Sequence, residues 1–200
     1  MSIKRALISV TDKSGVEVLA RYLIQHGVEI LSTGGTLKYL ESHGFECTDV
    51  SDYTGFPEMM GGRLKTLHPL VHGGILGRRG IDDGVMEEHS ILPIDLVVVN
   101  LYDFKSAIES GIPLNYIIEQ IDIGGPAMLR SAAKNYNDVV VLSDKSEYEE
   151  FIRIYDMYGY TTITHRLIFA HNAFRLTAAY DKMIAEYLRS CLPNVIDWEA

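Results

Sequence analysis

The fold class is decided by Ala6-Leu-Ile-Ser-Val10, Thr11-Asp-Lys-Ser-Gly15, the segment Val16 to Gly27, and Val28-Glu-Ile-Leu-Ser32. Ala6 to Val10 is a short, almost wholly apolar run of the kind a strand shows when buried on both faces. Val16, Leu19, Ala20 and Leu23 recur at i, i+3, i+4 and i+7. That spacing predicts a helix with one buried stripe, and Gly27 stops it. Val28 to Ser32 reads as a second strand. Thr33-Gly34-Gly35-Thr36 then leads into a short helix carrying Leu37, Tyr39 and Leu40, which ends near Gly44; Phe45 to Val50 reads as a third strand. This β-α-β-α-β alternation implies a parallel sheet joined by right-handed crossovers.

Outward from that start, Asp95-Leu-Val-Val-Val-Asn-Leu101 and Asp138-Val-Val-Val-Leu142 are two more buried strands. A short helix is expected over Glu87 to Ser90, and helical segments run to about Gln120. Another helix begins after Asp122-Ile-Gly-Gly125 and continues through Lys134. From Thr161 to Leu188 the pattern is again helical, with Ile168, Phe174, Ala178 and Tyr187 among its apolar positions. Residues 51 to 77 show no clear periodicity and are rich in Gly, Pro, His and basic residues. A long irregular segment inside a compact domain is often functional. No repeat or Pro/Gly/Ser linker divides the chain, so residues 1–200 are expected to form one α/β domain with a helical extension over 143–190. The tail from Pro193 to Ala200 suggests no role.

Composition narrows the function. The 200 residues include 27 Asp plus Glu against 18 Lys plus Arg, a formal net charge of −9. That balance argues against a nucleic-acid partner, whose phosphates need a basic face. It leaves room for a local cationic pocket holding a small anion. The apolar runs are far shorter than the ~20 residues that span a bilayer, and the N-terminus shows no signal-peptide h-region. The expectation is a cytoplasmic protein with no membrane partner. Cys47 and Cys191 form no CxxC pair, which makes a disulfide framework or a structural zinc site unexpected.

In open α/β sheets, ligands bind beyond the C-terminal ends of the strands. After the first strand come Thr11, Lys13, Ser14 and Gly15; after the second come Ser32, Gly34, Gly35 and Thr36. Both loops open helices, whose N-termini offer unpaired N–H groups and a partial positive charge. Glycines allow close backbone approach, and Lys13 adds a charge, so the two loops suit a phosphate. Neither matches GxxxxGK[ST] or GxGxxG, which removes support for ATP or a dinucleotide. Arg63 and Lys65, two residues apart in Gly61-Gly-Arg-Leu-Lys-Thr-Leu-His-Pro69, point to one side of an extended chain and can grip an anion. His68 and His72 have the i, i+4 spacing of zinc ligands, but no HExxH and no third ligand accompany them. Asn100 closes an apolar strand as a candidate ligand contact. Asp122 precedes a helix as a cap or as a functional carboxylate, and the adjacent glycine N–H groups suit an oxyanion.

Seven segments occur in order: Ser9-Val-Thr-Asp-Lys-Ser-Gly15, Ser32-Thr-Gly-Gly-Thr36, Thr54-Gly-Phe-Pro-Glu58, Gly61 to Pro69, Asn100-Leu-Tyr102, Gln120-Ile-Asp-Ile-Gly-Gly125 and Ala132-Ala-Lys-Asn135. Together they resemble the inosine monophosphate (IMP) cyclohydrolase domain of the bifunctional PurH family. The resemblance runs from about Lys4 to Leu188. It implies a methylglyoxal-synthase-like three-layer sandwich, with a central, mostly parallel sheet between helices. It also implies closure of 5-formamidoimidazole-4-carboxamide ribonucleotide (FAICAR) to IMP and water, with no metal or organic cofactor, by a homodimer. The family's formyltransferase domain, which uses 10-formyltetrahydrofolate, lies outside these residues.

By the same resemblance the catalytic residues are Lys65, Tyr102, Asp122 and Lys134. Lys65 is expected to act as a proton donor or electrophile, poised by Arg63 and Tyr102, and Asp122 to orient the carboxamide or accept its proton. Lys134 is expected to stabilise an oxyanion with the N–H groups of Ile123 and Gly124. Thr11, Lys13, Ser14, Ser32, Gly34, Gly35, Thr36, Arg63, Thr66, Asn100 and Gly125 complete the expected substrate site. Two positions depart from the family pattern: Asp103 stands where a proline follows Asn-Leu-Tyr, and Arg175 where Phe-x-His-Thr-Ala has its histidine. A methylglyoxal-synthase-type lyase acting on a triose phosphate stays open as a reading, as does a non-catalytic nucleotide-sensing domain. The first gives no reason for the Arg63 to Pro69 segment, and the second none for combining Lys65, Asp122 and Lys134.

Overall fold

The computed structural model describes residues 2–192, so the tail from Pro193 lies outside the described residues. Five strands, β1 (Arg5–Ser9), β2 (Glu29–Ser32), β3 (Thr48–Asp49), β4 (Leu96–Val99) and β5 (Val140–Leu142), make one sheet in the order β3-β2-β1-β4-β5. Every pairing is parallel; Ile8 sits beside Ser32 on one side of β1 and Ser9 beside Val99 on the other. Parallel strands covered on both faces need continuous apolar runs. Accordingly β4 and β5 are buried at every position.

The helices are α1 (Val16–Gln25), α2 (Gly34–Ser42), α3 (Val50–Thr54), α4 (Pro69–Leu76), α5 (Asp83–Glu88), α6 (Phe104–Glu109), α7 (Leu114–Ile118), α8 (Gly124–Lys134), α9 (Ser146–Tyr158) and α10 (Ile163–Ser190). The stripe Val16, Leu19, Ala20, Leu23 of α1 is buried as its spacing predicts, and α1 packs on β2 and α9. Helix α8 covers β4 and β5 and is flanked by α4 and α10. Burying core residues such as Leu7, Ile8, Leu31 and Leu129 contributes about 1.5–3 kcal/mol each. A satellite cluster of Phe104, Ile117 and Tyr180 ties α6, α7 and α10 together. No helix among the described residues is long and apolar enough to cross a membrane.

Two local expectations are corrected. The third strand shrinks to Thr48–Asp49, because Asp49 already caps α3 by accepting a hydrogen bond from Ser51 N at 2.8 Å. The segment 51–77 is also not wholly irregular, since it contains α3 and α4. Helix α4 lacks a legible stripe because Gly73 and Gly74 replace side chains with close approach. A Cβ at Gly74 would sit 2.6 Å from Leu92 O, and one at Gly73 would sit 2.9 Å from Ile91 Cδ1.

From β1 the chain builds outward to β2 and β3, then returns to place β4 on the other side of β1. The gap beyond the C-terminal ends of β1 and β4 is therefore the switch point at which such sheets bind ligands.

Candidate functional site

A cavity of about 720 Å³ opens at that gap. This is ample for a small molecule of nucleotide size. Its wall is built by the end of β1 (Ser9, Val10, Thr11, Lys13), the start of α2 (Thr33, Gly35, Thr36), the loop from Gly61 to Thr66, the end of β4 (Val99, Asn100, Tyr102) and the approach to α8 (Asp122 to Gly125).

One end has the chemistry that suits an anion. The first turn of α2 points its unpaired N–H groups here, with the positive end of the helix dipole behind them. Thr33 is the N-cap residue, yet its hydroxyl makes no cap hydrogen bond. The residue is buried, and Oγ1 has no partner among the described residues. A buried hydroxyl without a partner costs about 1–3 kcal/mol unless a ligand supplies one. Lys13 lies over the same turn: a Cβ on Gly35 would be 3.8 Å from its Nζ. Lys13 Nζ donates to Thr11 O at 3.2 Å and pairs with no described carboxylate.

The loop holding Lys13 is fixed by Asn100. Its Oδ1 accepts hydrogen bonds from the N–H groups of Thr11 (2.5 Å) and Asp12 (3.2 Å), and its Nδ2 donates to Asp12 O at 2.8 Å. The side-chain amide thus acts as a surrogate strand edge and aims Lys13 rather than presenting itself freely to a ligand.

Three hydroxyls of the expected site make hydrogen bonds within the protein. Ser32 Oγ donates to Ile8 O at 2.8 Å. Thr36 Oγ1 accepts from Val10 N and donates to Val10 O, both at 2.9 Å. Ser14 Oγ donates to Asp12 Oδ1 at 2.6 Å, and Asp12 also pairs with Lys145 Nζ at 2.9 Å. The first two rivet α2 and β2 to β1, while Ser14 holds the Asp12 turn. Thr33 carries the free hydroxyl instead. Its position one residue before the two glycines was its only sequence signal.

The other end carries acid–base groups. Burial pushes the Asp122 carboxyl upward, against the lowering effect of the Gly125 and Tyr102 N–H groups. Asp122 Oδ1 accepts from Gly125 N at 2.8 Å, and its own N–H donates to Tyr180 Oη at 2.8 Å. Asp122 is therefore both a helix cap and a half-buried base. Tyr102 also stands high, first through burial and then through the charges of Asp122 and Glu58, so its phenol stays neutral. Thr66 is buried against the start of α8, where a Cβ on Gly124 would come 2.6 Å from Thr66 Oγ1. The close approach requires glycine and locks the Arg63–Thr66 loop to the helix N-terminus. Gly125 is equally confined, since a Cβ there would lie 2.9 Å from Leu101 Cδ2. Ile123 lines the cavity as the residue before α8, its side chain exposed.

Both cations of the Arg63–Lys65 pair have carboxylate partners that sequence reading missed. Arg63 is ion-paired to Glu119 and is largely exposed. Lys65 Nζ meets Glu58 Oε1 at 2.9 Å and lies against Gly34. Arg63 and Glu119 both line the cavity mouth.

Lys134 is a correction of placement. It ends α8, an eleven-residue helix that starts at Gly124, so about 15 Å of helix separates the two. Its side chain is exposed and does not line the cavity. The expected juxtaposition of Lys134 with the Ile123 and Gly124 N–H groups does not form within this chain. His68 and His72 also part company. His68 Nδ1 accepts from Leu70 N at 3.2 Å as the cap of α4, and His72 Nδ1 lies 3.1 Å from Ser131 Oγ. Asp103, the departure after Tyr102, caps α6 by accepting from Ser106 N at 3.0 Å. Arg175 lies exposed on α10.

The model of the MGS-like domain family matches residues 15–127, and that of the AICARFT/IMPCHase bienzyme family matches residues 132–198. Among solved structures, ForH is similar at 37% sequence identity with a TM-score of 0.79, over 92% of this chain and 98% of that one.

Proposed function

We propose that this chain, which belongs to the MGS-like domain family and is related to PurH, is an IMP cyclohydrolase. The reaction closes FAICAR to IMP with loss of water. The observation that carries the reading is the polarity of one cavity. Lys13 and an orphaned hydroxyl stand at the N-terminus of α2 at one end, a half-buried carboxylate and a tyrosine at the other, and Lys65 between them, its Nζ against Gly34 and paired with the Glu58 that acts on Tyr102. The 5′-phosphate belongs at the first end and the two reacting side arms at the second.

The carboxamide nitrogen is a poor nucleophile, because its lone pair is delocalised. Holding it against the formyl carbon contributes several kcal/mol toward the barrier. As the C–N bond forms, Asp122 accepts a proton from that nitrogen and Lys65 gives one to the formyl oxygen. The N–H groups of Ile123 and Gly124, at the start of α8, stabilise the oxygen while its charge develops. The ring hydroxyl then departs as water with the proton held by Asp122, and Lys65 takes the proton of the former formamide nitrogen as the C=N bond forms. Both groups return to their starting states. The neutral Tyr102 phenol donates a hydrogen bond beside them. The condensation is redox-neutral and needs only proton transfer, so the proposal includes no cofactor. The homodimer and the purine-nucleotide partner follow the resemblance.

The test is direct. Purified protein is incubated with FAICAR and purine formation is followed by ultraviolet absorbance, with dihydroxyacetone phosphate as a parallel substrate. Cyclisation well above the rate in buffer, with no methylglyoxal released, is the expected result. IMP binding without any acceleration would assign the cavity to sensing and end the enzymatic reading.

The phosphate end has its own prediction. Thr33→Val keeps the shape of the side chain and removes the orphaned hydroxyl. Losing one hydrogen bond to a charged ligand raises KM by about tenfold or more, while kcat stays within about threefold because the reacting end is unaltered. The melting temperature is expected to hold or rise, since a buried polar group without a partner has gone.

A further inference from the structure

We infer that Glu58 is a positioning residue that holds the Lys65 side chain in place at the cavity. The inference deepens the assignment of Lys65 as the proton donor and rests on it. Glu58 Oε1 lies 2.9 Å from Lys65 Nζ. The pair occupies a slot between two glycines of positive φ, Gly34 (+53°) and Gly62 (+89°). A Cβ on Gly34 would overlap Lys65 Nζ, and one on Gly62 would come 2.8 Å from Glu58 Oε1. Left-handed backbone favours glycine at both positions, and the space in front of each is taken by this ion pair.

The pairing is selective. Arg63, two residues away, is taken by Glu119, so it does not compete for Glu58. Lys13, the third cation of the cavity, turns to Thr11 O instead. The Lys65 side chain is 24% exposed and that of Glu58 49%. Partial screening makes such a pair a small contributor to stability. Lys65 must reach the same atoms twice in every turnover, so a partner that fixes the position of its Nζ serves the reaction more than the fold. Glu58 is also close enough to act on Tyr102. The other titratable groups around Lys65 are Lys13, Arg63, Glu119 and Asp122 on the cavity side, and His68 in the small hollow behind it.

The experiment reads Lys65 without requiring turnover. Wild type, Glu58→Gln and Glu58→Asp are treated with trace acetic anhydride across a pH series, and acetylation of Lys65 and Lys13 is quantified by peptide mass spectrometry. In Glu58→Gln, Lys65 labelling is expected to rise by about threefold, the scale of a lost exposed ion pair that occupied the amine, with Lys13 unchanged. In the same variant kcat falls while KM stays within about twofold. Glu58→Asp, which keeps the charge, stays close to wild type. Gly62→Ala, which presses on Glu58, moves Lys65 in the direction of the glutamine variant. Unchanged Lys65 reactivity in Glu58→Gln and Gly62→Ala would overturn the inference whatever the turnover. Absent cyclisation with the labelling response intact would count against the proposed activity and leave the pairing standing.

Discussion

Lys65→Met lowers kcat for ring closure by about 10³-fold, with KM changed little. Methionine keeps the length and apolar stem of lysine and removes its proton. General acid–base catalysis is worth about 10²–10⁴-fold, and Lys65, which lines the cavity with Arg63 and Lys13, is the cation assigned to it. Substrate affinity is expected to survive in large part, because Lys13, Thr33 and the α2 N-terminus remain as the proposed phosphate contacts. The fold survives because Glu58, the partner left behind, is half-exposed and regains water. Steady-state kinetics by purine absorbance and a thermal melt decide it. Near-normal turnover in a folded variant would remove Lys65 from the chemistry and, with it, the role assigned to Glu58.

Asp122→Asn separates function from stability. Asparagine still accepts the Gly125 N–H bond that Asp122 Oδ1 makes at 2.8 Å, and it is as good a cap as aspartate. It cannot accept the amide proton, so kcat is expected to fall by about 10²-fold or more. Burial raises the Asp122 carboxyl. A base works when ionised, so the acid limb of the wild-type rate profile lies above the ordinary aspartate range. Stability runs the opposite way. A carboxyl whose folded-state pKa is raised contributes nothing adverse at pH values where it is protonated in both states. It lowers stability as pH rises through the folded value and ionised Asp122 stays half-buried. Asp122→Asn should therefore melt no lower than wild type at neutral pH, and the two should converge on acidification. A variant that melts well below wild type at pH 7 would make Asp122 chiefly a structural cap.

The legible and illegible parts of this protein divide along a physical line. Strands β1, β4 and β5 were readable because a strand covered on both faces must be a continuous apolar run, and α1 because its stripe is local and periodic. The loops at the strand ends were readable as a site because the α/β topology leaves only those ends open to ligands. Helix α4 was not, because its burial rests on glycines that admit neighbouring Ile91 and Leu92, a fact absent from its own periodicity. Nor were the carboxylates Glu58 and Glu119, which reach Lys65 and Arg63 across 7 and 56 residues of chain.

The amino-acid order alone determined the parallel α/β sheet, the glycine- and lysine-bearing strand ends and the family motifs around Lys65 and Asp122, since each depends on residue type within one short segment. Tertiary structure decided which groups are free to act. Ser32 and Thr36 spend their hydroxyls on β1 while Thr33 keeps its own, Asn100 clamps a loop, and Lys134 is carried away by the rigid length of α8. Those outcomes depend on where neighbouring backbone amides fall in space. A hydroxyl or an ammonium is available to a ligand only when no closer partner has been brought to it by the fold.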